Sequence, residues 1–226
     1  MFDSDEDMRI LTQTEWFGAR DSRFQNDLMT VAVHRTFDSG ETLYHHGDQA
    51  NGIFAVLSGA LQITAPADDG REFVLHQDGS GFWIGDLALF SGAKRLVSVV
   101  TTQKTRTLFF PGSRVARLVR KNPEYIRDFY ALTHENMKTA LRIMANLAVT
   151  GSEKRLALRL LHLDEGTLKS DGWIVVSQEE LAEMVAVSQP TLHRHLHHLA
   201  DLGLVELGYG RLRLVDRRKL ISNCQS

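Results

Sequence analysis

Cysteine is almost missing from this sequence: the 226 residues contain one, Cys224, near the C-terminal end. An intrachain disulfide is therefore impossible, and zinc or iron–sulfur sites built from several thiolates are excluded. Long apolar runs are also missing, none approaching the ~18–20 residues that a membrane-spanning helix needs. The N-terminal stretch MFDSDEDMRI is acidic where a signal peptide would be basic. A cytoplasmic location is expected. Nor is there an excess of charge of one sign, with 26 Lys and Arg against 28 Asp and Glu. That balance leaves nucleic acid open as a partner, because a binding patch is a local property. What is present, 43% hydrophobic and 24% charged residues, is the composition of an ordinary globular protein with room for one large or two modest domains.

Glycine is unevenly spread, with nine of the seventeen lying between Gly40 and Gly92. There the chain is written in short apolar pieces rich in Val, Ile, Leu and Phe: GIFAVLSG, ALQITA, REFVLH and RLVSVVTT. Turn signals separate them, and Asp69-Gly70 suits a hairpin because glycine accepts positive φ. Evenly spaced short strands imply an antiparallel sandwich or barrel. Ser22 and Gln25 stand in capping-box spacing before FQNDLMTVA, which predicts a short helix ahead of the strands. Residues 1–112 thus read as an all-β domain with a helical lead-in.

The pattern changes after Pro123. Up to Leu147 there is no glycine and no further proline, and Ile126, Tyr130, Thr133, Met137, Ala140, Met144 and Leu147 alternate in steps of four and three. That is the seam of a coiled coil. A second row, Phe129, Leu132, Asn136 and Ile143, runs beside it. One amphipathic helix packed on its own domain would explain a single row. Two rows favour a helix that serves its own domain and a twin chain, making a parallel homodimer. Residues 113–150 are read as this connecting and dimerisation segment. Thr150-Gly151-Ser152-Glu153 breaks the helix, caps EKRLALRLLHL and opens a second domain, 151–226.

In that domain GWIVV reads as a strand, and Ser177 to Glu180 repeats the capping-box spacing at the start of a helix. Next comes VSQPTLHRHLHHL. Ser188 is a good N-cap and Pro190 sits in the first turn, where its missing N–H costs nothing. Leu192, Leu196 and Leu199 fall at i, i+4, i+7 and should face inward onto Leu181, Val185 and Val187. Two short helices with so tight a connection form a helix-turn-helix. Gln189, His193, Arg194 and His197 are left on the outside, and Val187–Leu199 contains no acid. Such a face suits a major groove, with Gln matched to adenine and the Arg fork to guanine. A solvated surface is the plain alternative. His193 and His197 also have a spacing able to grip zinc. No Glu, Asp or Cys accompanies them, so neither a metal site nor a catalytic cluster is expected. His195 and His198 point elsewhere and should bond locally. Finally LVELGYGRLRLVD reads as a hairpin turning at Gly208-Tyr209-Gly210, with Leu212 and Leu214 inward and Arg211 and Arg213 outward. Arg217, Arg218 and Lys219 follow. A basic hairpin there is a wing placed to touch phosphate.

In this order, the pieces resemble the Crp–Fnr family of bacterial transcription regulators over nearly the whole chain. GETLYHHGD, IFAVLSGALQI and GSGFWIGDLALFSGAKR are similar to the family's cyclic-nucleotide-binding β-roll, and SQEELAEMVAVSQPTLHRHLHHLADLGLVELGYGRLRLVD to its winged-helix signature. The resemblance implies an α+β protein: an N-terminal antiparallel, jelly-roll-like β-roll, a long dimerisation helix and a C-terminal winged helix-turn-helix. It places a candidate effector pocket at Gly85, Asp86, Arg95, Leu96, Ala140 and Leu141. Nucleotide-binding members carry Gly-Glu where Gly85-Asp86 stands, and Arg-Ser-Ala where Arg95-Leu96-Val97 stands. They have hydroxyl side chains where Ala140 and Leu141 stand. Losing several ligand hydrogen bonds at ~1–3 kcal/mol each argues against tight cyclic-AMP binding. No cofactor is expected; another small ligand, or none, is, and Arg95 is expected to pair with Asp86 rather than hold an anion. Haem sensing would need an axial ligand such as His45, His46 or His76, although solvated loop histidines are commoner.

The family's Ser-Arg-Glu-Thr-Val-x-Arg is matched by Ser188 to Arg194. Ser188, Thr191, Arg211, Arg213 and Arg217 are then the expected backbone contacts, and Gln189, His193 and Arg194 the base contacts. Pro190 cannot replace the glutamate that accepts from cytosine, so the half-site should differ. Ala186 stands where a turn glycine is customary, at up to ~1 kcal/mol if its φ is positive. Expected partners are double-stranded DNA, a second copy of the chain and, for an activator, RNA polymerase, whose docking face has no recognisable motif here. Two other readings compete. A cupin-like metal enzyme would rest on His45, His46 and His76, but HHGDQANG lacks the His-x-His and spaced Glu of that pattern. A ligand-binding dimer would use the helix-turn-helix to dock protein.

Overall fold

A computed structural model describes residues 4–66, 70, 72–167 and 172–225. The chain forms two compact units: Met1–Glu72 with Gln77–Thr139, and Phe73–His76 with Ala140–Ser226. The division falls inside the long helix.

The first unit begins with three helices, α1 (Ser4–Thr12), α2 (Glu15–Gly18) and α3 (Ser22–Met29). The cap of α3 is Asp21, whose carboxylate accepts from the Arg23 amide at 2.8 Å; Ser22 is the first helical residue instead of the expected cap. Among the described residues eight strands follow, of which β5 carries Phe73–His76 of the second unit: β1 (Val33–Phe37), β2 (Thr42–Tyr44), β3 (Gly52–Ser58), β4 (Ala60–Pro66), β5 (Glu72–Gly79), β6 (Trp83–Ile84), β7 (Ser98–Thr101) and β8 (Thr105–Pro111). They form two four-stranded sheets, ordered β1-β8-β3-β6 and β2-β7-β4-β5. The GIFAVLS and ALQITA runs lie in β3 and β4, EFVLH of the third run lies in β5, and RLVSVVTT contains β7. Of the expected hairpin pair, Asp69 lies outside the described residues, whereas Gly70 has a φ of 81°.

Strand β3 is buried along nearly its whole length because it faces a core on each side. Ile53, Ala55 and Leu57 join the aromatic cluster of Trp16, Phe17, Phe24, Trp83 and Phe129, while Phe54 and Val56 join Tyr44, Leu61, Ile63 and Val99. Successive strand residues point to opposite faces, so a strand between two apolar layers shows no polar alternation. Helix α4 (Asp86–Ser91) sits between β6 and β7, and α5 (Gly112–Lys121) follows β8. Helix α6 (Tyr125–Leu147) buries Tyr125, Phe129 and Leu132 in this unit, and Trp16 Nε1 donates to the Asp128 carbonyl at 2.7 Å.

The second unit holds α7 (Ser152–Thr167), β9 (Ile174–Val175), α8 (Gln178–Met184), α9 (Gln189–Asp201), β10 (Val205–Gly208), β11 (Arg211–Leu214) and α10 (Arg217–Gln225). Its sheet is antiparallel, ordered β10-β11-β9. Leu156 and Leu160 of α7 meet Leu181, Val185, Leu192, Leu196, Leu199 and Leu220 in one core. Among the described residues no helix is long and apolar enough to cross a membrane.

Candidate nucleic-acid interface

Helix α8 starts with a complete capping box: the Glu180 amide donates to Ser177 Oγ at 3.1 Å, and the Ser177 amide to Glu180 Oε2 at 2.8 Å. It ends at Val185, and Ala186 turns the chain with a φ of 50°. Arg155 of α7 holds that turn, donating from Nε to the Val185 carbonyl at 2.5 Å and from Nη2 to Ala186 at 3.3 Å; Nη1 reaches Val149 at 2.8 Å. These bonds satisfy carbonyls that the end of α8 would otherwise leave open. Sequence reasoning gave Arg155 no role.

Ser188 caps α9 by backbone geometry; its hydroxyl lies 2.9 Å from Thr191 Oγ1 instead of on a helix amide. Leu192, Leu196 and Leu199 are buried as a row, and Gln189, His193, Arg194 and His197 are exposed on the other side. The four histidines divide into pairs. His193 and His197 bring their Nε2 atoms to 3.1 Å on the outer face. His195 lies against α7, with Nε2 at 2.8 Å from Ser152 Oγ and Nδ1 at 3.2 Å from Glu153, and His198 Nδ1 is 3.0 Å from the same carboxylate. One pair faces outward; the other docks the helix.

The wing is a register of Glu206 with Arg213, Leu207 with Leu212 and Gly208 with Arg211, turned by Tyr209 and Gly210. Gly210 takes a φ of 64°, and Tyr209 is fully exposed. Arg211 stacks 4.2 Å above the Trp173 ring, and Arg213 lies 5.0 Å from it. Arg213 also donates to Glu206 at 2.7 Å. Arg217 starts α10 and is bonded to Asp164 and Glu165. Of the five expected backbone contacts, two therefore carry a carboxylate partner within the chain, and two bond each other. Trp173, the platform beneath the wing arginines, was not singled out in the sequence.

In the first unit the expected pairing of Arg95 with Asp86 is not formed. Arg95 is 2% exposed. It donates to the carbonyls of Gly85 (2.8 Å) and Gly52 (2.7 Å) and to Asn51 Oδ1 (3.2 Å), with its guanidinium carbon 4.1 Å from the centre of the Tyr44 ring. Burial lowers the Arg95 pKa from the ordinary arginine range, and burial raises that of the Tyr44 phenol. Gly85 has a φ of 105°, and a Cβ there would stand 2.6 Å from Arg95 Nη1. Asp86, 1% exposed, turns to α6: Thr133 Oγ1 donates to it at 2.6 Å and Asn136 Nδ2 at 2.7 Å. Thr133 is thus tied to its own unit, not free on the expected seam. The physical reason is local: two side-chain donors on α6 reach the buried carboxylate directly, while both terminal nitrogens of Arg95 are spent on oxygens of Gly85, Gly52 and Asn51 and its Nε is left without a hydrogen-bond partner among the described residues. Leu96 is exposed; Ala140 and Leu141, also exposed, belong to the second unit. His45 and His46 are exposed and His76 is buried. Among the described residues no three His, Cys, Asp or Glu side chains are grouped to hold a metal.

A β-roll joined to a winged helix-turn-helix with an acid-free outer helix face defines a DNA-binding transcription regulator. Residues 34–122 match the cyclic nucleotide-binding domain and residues 154–222 the Crp-like helix-turn-helix domain. The cAMP-activated global transcriptional regulator CRP of Haemophilus influenzae is 27% identical over 174 residues, 75% of this chain and 78% of that protein. The CRP-like cAMP-activated regulator of Mycobacterium tuberculosis is 25% identical over 81% of this chain and 84% of its own length. In fold, FixK2 of Bradyrhizobium japonicum has a TM-score of 0.75 at 21% identity, covering 85% of this chain and 96% of that one. The chain belongs to the Crp–Fnr family. Its relatives are regulators, and the cupin-like enzyme reading falls away.

Proposed function

We propose that the protein is a cytoplasmic, homodimeric, sequence-specific regulator that binds pseudo-palindromic operators with half-sites about one helical turn apart. The observation that carries this reading is the two-sided α9: a buried leucine row behind, and Gln189, His193, Arg194 and His197 exposed in front with no acid among them. Gln189, His193 and Arg194 address base edges. Ser188, Thr191, Arg211, Arg213 and Arg217 address phosphates, the last two exchanging their carboxylate partners for the duplex. The dimer reading is supported by the exposed apolar row of α6: Ile126, Tyr130, Met137, Leu141 and Met144 are between 45% and 75% exposed. A row of that kind on a 23-residue helix is suited to a second copy.

The same proposal makes the protein unresponsive to cyclic AMP, with another small effector or none. Its support is that the terminal nitrogens of Arg95 are engaged by the carbonyls of Gly85 and Gly52 and by Asn51, that Asp86 is engaged by Thr133 and Asn136, and that Leu96, Ala140 and Leu141 supply no hydroxyl. One experiment tests both halves. Selection of bound duplexes from a random pool, followed by gel shifts with and without cyclic AMP, should return a two-fold symmetric site whose affinity the nucleotide leaves unchanged. No enriched sequence would overturn the regulator reading, and a shift with cyclic AMP the effector reading.

A further inference from the structure

We propose that His193 and His197 form a two-ligand site for a borderline divalent cation (zinc, nickel or copper(II)) on the outer face of α9. Their Nε2 atoms stand 3.1 Å apart and their ring centres 4.3 Å apart. Two imidazole nitrogens each about 2.0–2.1 Å from one zinc, at angles between octahedral and tetrahedral, are separated by about 2.9–3.4 Å. The bite is thus already in place. Rotation of both rings, turning their nitrogens from each other to a common point outside the helix, would let two metal bonds replace the one N–H···N bond. The i, i+4 spacing on one helix holds the backbone part of that geometry fixed.

The surroundings define the cation. No third protein ligand is grouped with the pair among the described residues, so water completes the shell. Neutral imidazole suits zinc, nickel and copper, whereas magnesium and calcium require oxygen ligands. The other two histidines of the helix cannot join, since His195 and His198 are engaged by Ser152 and Glu153.

The consequence rests on the reading of α9 as the DNA-facing helix. A coordinated ring nitrogen cannot donate to a base, so base readout through His193 is lost. The added double positive charge meanwhile strengthens attraction to any duplex. Metal binding should therefore lower the preference for operator over random DNA.

The test uses the full chain stripped with a chelator, alongside H193Q and H197Q, both changes at exposed positions. Zinc or copper(II) is titrated against a chromophoric chelator. Wild type should take up one more cation per chain than either variant, with micromolar affinity; equal uptake by all three overturns the site. Operator and random duplexes are then compared with and without zinc. The ratio of affinities should fall several-fold in wild type and stay constant in both variants; a constant ratio in metal-loaded wild type overturns the coupling. If the metal-free chain binds no duplex, the DNA-facing reading fails on that arm, while the difference in cation uptake still decides the metal site.

Discussion

Ala186 has a φ of 50°, a region where a Cβ crowds the backbone and glycine does not. Arg155 keeps it there by bonding the carbonyls of Val185 and Ala186. Ala186→Gly should therefore raise stability by about 0.5–1 kcal/mol, less the greater freedom that glycine adds to the unfolded chain. Denaturant unfolding checks this, and the midpoint should rise with an unchanged slope. Arg194 is the contrasting case, an exposed residue with no carboxylate bonded to it among the described residues. Arg194→Ala should leave stability unchanged, weaken the selected site by about 1–3 kcal/mol and blur one base position. Footprinting on a randomised library distinguishes this from a phosphate contact, whose loss weakens all sequences equally.

At the scale of elements, Asp86 links α4 to α6. With the carboxylate gone, Thr133 and Asn136 lose a charged acceptor, so Asp86→Ala should cost about 1.5–3 kcal/mol. Asp86→Asn, which keeps one acceptor oxygen, should cost less; thermal melts of both rank them. The opposite face of α6 makes a separate prediction. Placing lysines at Met137 and Met144, which are 48% and 66% exposed, adds charge to the apolar row without touching the core of the chain. Sedimentation velocity should show wild-type dimer becoming monomer in the double variant, with operator affinity falling as the two half-sites are no longer held together.

The sequence made some of these elements readable and concealed others for physical reasons. β3, β4 and β5 were legible because each is an apolar run between turn residues, and α8 and α9 because caps and leucine spacing are local signals. β1 (VHRTF) and the two-residue β6 were not, since neither is long enough to show a period. Arg155, Trp173 and the partners of Asp86 were hidden for another reason. Their roles come from contacts some 30 to 50 residues away along the chain, as between Arg155 and Val185 or Asp86 and Asn136. No spacing rule reports those. The α9 site residues were legible as a face. That two of its histidines bond each other while two dock on Glu153 was not.

For the molecule as a whole, the clearest condition on stability is pH. His162 lies in the second unit, 8% exposed and stacked on His76 at 4.9 Å. Burial, followed by the neighbouring His76, Arg142 and Arg159, holds its pKa down at about 2. In the unfolded chain the same imidazole titrates near ~6.5. Between these values the unfolded state binds a proton that the folded state refuses, so stability is complete above pH ~6.5 and declines as the pH falls towards 2. From pH 7.5 to 5.5 this one group should remove about 1.4 kcal/mol. His162→Gln puts a group without a proton to gain in its place, and its stability should fall over that interval by about 1.4 kcal/mol less than that of wild type. The remaining titratable groups are common to both proteins, so the difference between the two pH curves isolates His162. Parallel decline in the two proteins would assign the acid sensitivity to another group.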